Sequence, residues 1–202
     1  MQRSFLIFAT AFIALMAGAL FYAARFPVQT EVPVAAIEPA AERTDDAVYP
    51  SFQLADLEGN QRDFSEWDGK HRLLNFWATW CAPCRREIPL LKAFQDEHGG
   101  SGFQIIGIAV DFPEQVATYA ETAEFNYPIL VGQEDAMAIA ETSGIDFIGM
   151  PFTMIVASDG ELLNSRIGEI VDADLEHIVK VLTMLDNGEI DKESAREALH
   201  FL

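Results

Sequence analysis

Asn75-Phe76-Trp77-Ala78-Thr79-Trp80-Cys81-Ala82-Pro83-Cys84-Arg85-Arg86-Glu87-Ile88-Pro89 joins a largely apolar run at 72–78 to a helical pattern that reaches residue 98 and stops at Gly99-Gly100. The run has the length of a buried strand, so Cys81 falls where the following helix begins. Unpaired backbone N–H groups and the helix dipole favour an anion there, which stabilises a thiolate at Cys81. Cys84 lies three residues on, one turn away, within reach of a disulfide formed at Cys81. Pro83 suits the first helical turn, where a missing N–H costs nothing. Arg85 and Arg86 either add positive charge to this site or are simply solvated. A zinc half-site would need a second ligand pair, and His71, His98, His177 and His200 show no ligand spacing. A permanent structural disulfide across so short a loop would add little chain-entropy stabilisation. Reversible dithiol–disulfide exchange is the chemistry that uses this spacing.

Working outward, apolar strands alternate with helices. Segments at 52–54 and around Phe64 flank Asp56-Leu57-Glu58-Gly59-Asn60, a hairpin signal. A second continuous apolar run covers 103–110. Helix is expected at 114–125, strand at 128–131 and helix at 134–142. Strands at 153–156 and 161–167 face each other across Ser158-Asp159-Gly160. Asp172 is expected to cap a last long helix through residue 185, with a short helical tail beyond residue 192. Continuous apolar strands separated by helices make this an α/β chain, its central sheet covered on both faces.

The 202 residues include 32 acidic and 13 basic side chains, a formal net charge of −19. Nothing supplies the basic footprint that a phosphate backbone requires, so nucleic acid is excluded as a partner. Half the residues are hydrophobic, which excludes wholesale disorder. Two cysteines are too few for a disulfide framework. Arg3 and Arg25 bracket an uncharged apolar segment at 4–24, long enough as a helix to cross about 30 Å of hydrocarbon. Ala17-Gly18-Ala19 offers an alternative reading as a cleaved signal peptide, yet the apolar run continues past it. The expectation is a membrane anchor at 1–25 (or a signal peptide), a proline-containing linker at 26–46 and an exported domain beyond it. The expected location is an inner membrane, crossed once, with the domain beyond the linker in the periplasm.

The Phe76–Cys84 motif with Glu87 and Pro89 resembles the active-site motif of the membrane-anchored thioredoxin-like reductases, the TlpA/DsbE/ResA group. Gly149-Met150-Pro151-Phe152-Thr153 is similar to that group's second motif, in which the proline is cis. The resemblance spans residues 48–185. It implies a thioredoxin-like fold with a central mixed sheet flanked by helices, a domain at 47–185 and a C-terminal helical tail at 186–202. Cys81 is then the attacking thiol and Cys84 the resolving one. Glu87 stands where the family places an acid that exchanges protons with the buried thiol, while Asn75 stands where thioredoxin has a buried Asp and cannot exchange one. A solvated Glu87 paired with a nearby Arg is the structural alternative. Trp80, Pro83, Met150 and Pro151 would contact the target, whereas Trp77 reads as core and Phe152 as core or apolar lip. No cofactor or metal is implied, because the cysteine pair itself carries the electrons. The resemblance implies cysteine-containing protein substrates, namely apocytochrome c or a copper-site protein, and a membrane thiol reductase as electron donor. Two other readings remain: a copper-binding assembly protein that uses the pair as ligands, and a peroxiredoxin-like peroxide reductase. For the latter, Thr79 stands two residues before Cys81 rather than three.

Overall fold

Every residue of strand β3 (His71–Trp77) is buried, because it is hydrogen-bonded on both sides and covered on both faces. The computed structural model describes residues 49, 51–142 and 149–200, within a unit spanning Asp45–Leu202. The apolar segment at 4–24 and the linker at 26–46 lie outside the described residues. Among the described residues, no helix is long and apolar enough to cross a membrane.

Helix α1 (Ala82–His98) follows β3 and returns the chain to β4 (Phe103–Val110), which pairs with β3 in parallel. Helix α2 (Pro113–Ala123) connects β4 to β5 (Ile129–Gly132), again in parallel. These two crossovers are the βαβ units expected from the apolar runs. On the other side, β6 (Phe152–Val156) pairs antiparallel with β3, and β7 (Leu162–Ile167) antiparallel with β6. The hairpin β1 (Gln53–Asp56) and β2 (Gln61–Asp63) joins antiparallel to β5. The sheet order is β2-β1-β5-β4-β3-β6-β7, a mixed sheet as expected. Helix α3 (Glu134–Glu141) follows β5, and helices α4 (Asp172–Asp186) and α5 (Lys192–Leu199) follow β7.

Side chains alternate across the strands and build two cores. Leu73, Ile105 and Ile155 meet Ile88 and Leu91 of α1 and Ile178 of α4 on one face. On the other, Leu74, Ile106 and Met154 meet Ile139 of α3 and Phe64 and Trp67. Gly107 makes the first core possible, since a Cβ there would lie 2.6 Å from Ile129 Cδ1 and 3.3 Å from Trp77 Nε1. Trp77 instead packs against Tyr119 and Phe125, with ring centroids at 5.5 and 5.4 Å.

Two local expectations are corrected. Strand β2 ends at Asp63, and Phe64–Trp67 form a 3-10 turn. The Asp63 carboxylate accepts from Ser65 N at 2.9 Å, and Glu66 accepts from Asp63 N at 3.0 Å, so a reciprocal cap overrides the strand. Helix α4 is capped from inside. Its N-cap residue is Val171, and Asp174 reaches back to accept from Val171 N at 3.0 Å, while Asp172 is the first helical residue.

The C-terminal helix is fastened by charge. Glu161, at the head of β7, is buried and pairs with both Lys192 and Arg196 of α5; Lys192 also reaches Asp159 at 2.6 Å. Asn164 Nδ2 donates to Leu199 O at 2.5 Å, and Ala195 and Leu199 pack into the first core. Glu161→Gln is expected to destabilise the protein by about 2 kcal/mol, between the exposed and buried limits for ion pairs. Amide exchange should accelerate over 195–199 while that of β3 stays slow.

Candidate functional site

Cys81 and Cys84 form a disulfide, with Cα atoms 5.3 Å apart. Cys81 is the N-cap residue of α1, and its Sγ accepts from Cys84 N at 3.3 Å. This is the free end of the helix dipole, where sulfur with negative charge is stabilised. Pro83 occupies the first turn, as expected. The two sulfurs are not equivalent: Cys81 keeps 5% exposure and Cys84 none. Of the pair, only Cys81 keeps any exposure.

One turn beyond Cys84 on the same helix, Glu87 is 1% exposed. It is no solvated partner of an arginine. Its Oε1 accepts from Asn75 Nδ2 at 2.7 Å and its Oε2 from Ile170 N at 2.8 Å. Asn75 Nδ2 also donates to Thr153 Oγ1 at 3.1 Å, across the β3–β6 pair. Burial pushes the Glu87 carboxyl up to about 7, and the nearby Glu169 charge adds to this. The two hydrogen bonds and the Arg166 charge oppose that rise. Buried Tyr127 is held above the usual phenol range by its desolvation and by the charge of Glu87. The neighbouring arginine, Arg86, turns outward to Glu169 at 2.5 Å.

Pro151 follows a cis peptide bond after Met150. Register places it at the correct end of the sheet: Phe152 pairs with Phe76, where β3 leaves for the cysteine turn. Gly168 N donates to Pro151 O at 2.8 Å and ties this loop to the end of β7. Met150 packs against the core cluster that contains both cysteines. Phe152 is fully buried against Phe76 and forms no lip. Trp80 stands out at 69% exposure, beside Cys81.

Four large apolar residues are exposed among the described residues: Trp80, Phe112, Ile167 and Val171. Three of them escape a reading of the sequence. Phe112 follows Asp111, Ile167 pairs with Phe152, and Val171 adjoins the Ile170 N–H that holds Glu87. Trp80 directly precedes Cys81, and Phe112 follows the acid that holds the Thr79 turn. Asp111 is a further residue that the sequence reading missed. Buried at the end of β4, it accepts from Thr79 N at 2.9 Å and Thr79 Oγ1 at 2.6 Å, and from Phe112 N at 2.8 Å. It thereby holds the turn that presents Trp80 and Cys81. The available signal was its place just beyond a central parallel strand, the end of an α/β sheet where sites collect.

A Cys-x-x-Cys pair at the start of the helix after a central strand, facing a cis-proline loop, defines a thioredoxin-like redox protein. The AhpC/TSA family matches residues 46–164. The thiol-disulfide oxidoreductase ResA of Geobacillus kaustophilus is 28% identical over 172 residues, 85% of this chain and 92% of its own length. The thioredoxin-like protein YneN of Bacillus subtilis is 30% identical over 133 residues, 63% of this chain and 74% of its own. The crystal structure of a thiol:disulfide interchange protein from Chlorobium tepidum superimposes with a TM-score of 0.61 at 30% identity, over 68% of this chain and 98% of the other. The chain belongs to the AhpC/TSA family and, within it, to the thioredoxin-like thiol–disulfide oxidoreductases of the TlpA/ResA group. It is an enzyme that exchanges disulfides with cysteine-containing proteins.

The raised Glu87 carboxyl makes stability fall with pH. The folded chain binds a proton more tightly than the unfolded one, so the contribution is complete below about 4.5 and is lost as pH rises through about 7. The loss amounts to about 3 kcal/mol. Glu87→Gln, neutral throughout, should gain that much on the wild type between pH 4.5 and 8.5 in paired urea titrations. An unchanged difference between the two proteins would show that Glu87 titrates normally.

Proposed function

We propose that this enzyme is a membrane-tethered reductase of exported protein disulfides, anchored in the inner membrane through residues 4–24 with its catalytic domain in the periplasm. The observation that carries the reading is the asymmetry of the cysteine pair, Cys81 slightly exposed at a helix N-terminus and Cys84 fully buried one turn before a buried acid. In the dithiol form, Cys81 thiolate attacks one sulfur of the target disulfide, forming a mixed disulfide and expelling a target thiolate. Glu87 carboxylate takes the proton of Cys84, whose thiolate then attacks Cys81 Sγ. The Cys81–Cys84 bond forms, the mixed disulfide breaks, and the target leaves as a dithiol after its two thiolates take up protons. Two electrons pass from enzyme to target, and a membrane thiol reductase restores them.

Exposed Trp80, beside Cys81, offers apolar contact to a target segment, with Met150 and Pro151 as the other contact residues of this reading. A net charge of −19 steers basic targets toward the domain. Apocytochrome c before haem attachment and the copper-site subunit of a respiratory oxidase are the target classes this reading names. The name of the ResA relative supports the redox chemistry, and the anchor rests on the uncharged segment alone.

The first test is the equilibrium reduction potential of the full chain in detergent micelles. A value near or below about −270 mV is expected, and one near about −120 mV would make the enzyme a disulfide donor and overturn the reading. With a model disulfide substrate, Cys81→Ser should abolish turnover and Cys84→Ser should accumulate the mixed disulfide. In cells, the chain should remain in the membrane pellet after alkaline carbonate extraction. Its release into the supernatant would remove the anchor.

A further inference from the structure

The hydrogen bonds around Glu87 suit only one of its protonation states. Both carboxyl oxygens accept, Oε1 from Asn75 Nδ2 and Oε2 from Ile170 N. A carboxylate needs this; a carboxylic acid also has an O–H to donate. At the same place, the equally buried Asn75 Oδ1 has no partner. Asn75 Nδ2 points at Glu87 and at the Thr153 hydroxyl, a group that donates or accepts with equal ease.

We propose that the Asn75 side-chain amide makes a half-turn about χ2 when Glu87 takes up a proton, so that one residue serves the carboxylate and the acid in alternation. With Glu87 charged, Nδ2 donates to Oε1 and to Thr153 Oγ1, as described. With Glu87 protonated, Oδ1 takes the place of Nδ2 and accepts from the Glu87 O–H and from the Thr153 O–H. Each orientation makes two hydrogen bonds and leaves one amide atom unpaired. The proton on Glu87 therefore selects between them at little cost in bonding. Asn75 is a positioning residue that acts through Glu87, and this role rests on the reading of Glu87 as the proton acceptor for Cys84. In that transfer the S–H bond of Cys84 breaks, an O–H bond forms at Glu87 Oε1, and no electrons change hands. The amide turn lets Glu87 hold the proton without leaving its place between Asn75 and Ile170.

The other groups that face Glu87 are engaged with partners of their own. Arg166 of β7 is tied to Asp174 of α4 at 3.0 Å. Glu169, in the loop before α4, is paired with Arg86 of α1. Tyr127, ahead of β5, stays protonated, since its hydroxyl is held above the usual phenol range. Cys84, on the same helix as Glu87, does not titrate while it is bonded to Cys81.

The test is a pH titration of the full, 13C- and 15N-labelled chain in detergent micelles, followed by NMR in the oxidised form. The Glu87 carboxyl carbon and the Asn75 amide group should move with one common midpoint. Cross-peaks from the Asn75 amide protons to the Thr153 side chain should be present above that midpoint and lost below it. In Glu87→Gln, the Asn75 signals should no longer respond to pH. If Glu87 titrates while those cross-peaks persist throughout, Asn75 is a fixed donor and the inference falls, leaving Glu87 as proton acceptor intact. If the Glu87 carboxyl shows no midpoint above pH 5, both fall. As a kinetic check, Asn75→Leu should leave the acid-limb midpoint of disulfide exchange nearly where it is, because the amide serves both forms of Glu87 alike. A rise of about one pH unit, a tenfold change in proton affinity, would mark Asn75 as a fixed donor to the carboxylate and count against the proposal.

Discussion

Burial of β3 on every side is the constraint from which the rest of this enzyme follows. A strand covered on both faces and paired on both edges has no freedom to slip, because a one-residue shift would turn Leu73 and Leu74 into the wrong cores. Its C-terminal end therefore delivers Cys81 to a fixed point above the sheet, and the parallel β4 brings Asp111 to the adjacent strand end, where it secures the Thr79 turn. The antiparallel β6 carries Pro151 to the same rim from the opposite direction. Elements far apart in sequence converge on the cysteines because each is registered against one immobile strand.

Polar groups in this interior are for the most part met by partners, Asn75 Oδ1 being left open. Asn75 and Thr153 face each other across the β3–β6 pair and accommodate a carboxyl that α1 lowers onto them. Burying Glu87 is costly, and the cost appears as its raised proton affinity. Arg72, on the same strand, is handled differently. Its guanidinium lies over the Phe64 ring at 4.3 Å and bonds to Asp68 at 2.6 Å, so it remains a structural charge on the face away from the cysteines. One strand thus carries a polar cluster built around a buried carboxyl on one side and an ion pair stacked on an aromatic ring on the other.

What could be read in the chain beforehand was local. The apolar runs that became β3 and β4, the helix opened by Cys81 and the turn at Ser158-Asp159-Gly160 each announce themselves within a dozen residues. Glu87 was legible for the same reason, standing one turn after Cys84. Its partner Asn75 is twelve residues away, and their meeting depends on how α1 docks over the sheet, which no local pattern encodes. Asp111 is equally silent: a lone acid after an apolar strand acquires meaning only once Thr79 lies beside it. The 3-10 turn that replaces the strand expected around Phe64, and the N-cap at Val171 where Asp172 is expected, lie where several acids compete and backbone geometry sets the outcome. The exposure of Phe112, Ile167 and Val171 is likewise a property of assembled turns, since each reads in sequence as ordinary core material.

The position of Cys81 at a helix end has a consequence for the thermodynamic cycle that links folding to reduction. The helix N-terminus favours a thiolate, a species only the reduced chain possesses, so it stabilises the reduced fold and draws the couple toward oxidising values. An ionised Glu87 one turn from Cys84 works against a second negative charge and draws the couple back. In such a cycle, 30 mV of potential corresponds to about 1.4 kcal/mol of difference between the reduced and oxidised folds. As pH rises past the point where Glu87 ionises, the reduced fold loses ground and the same dithiol becomes the stronger electron donor. The difference in heat stability between the two redox forms is thus a thermometer for the enzyme's reducing power.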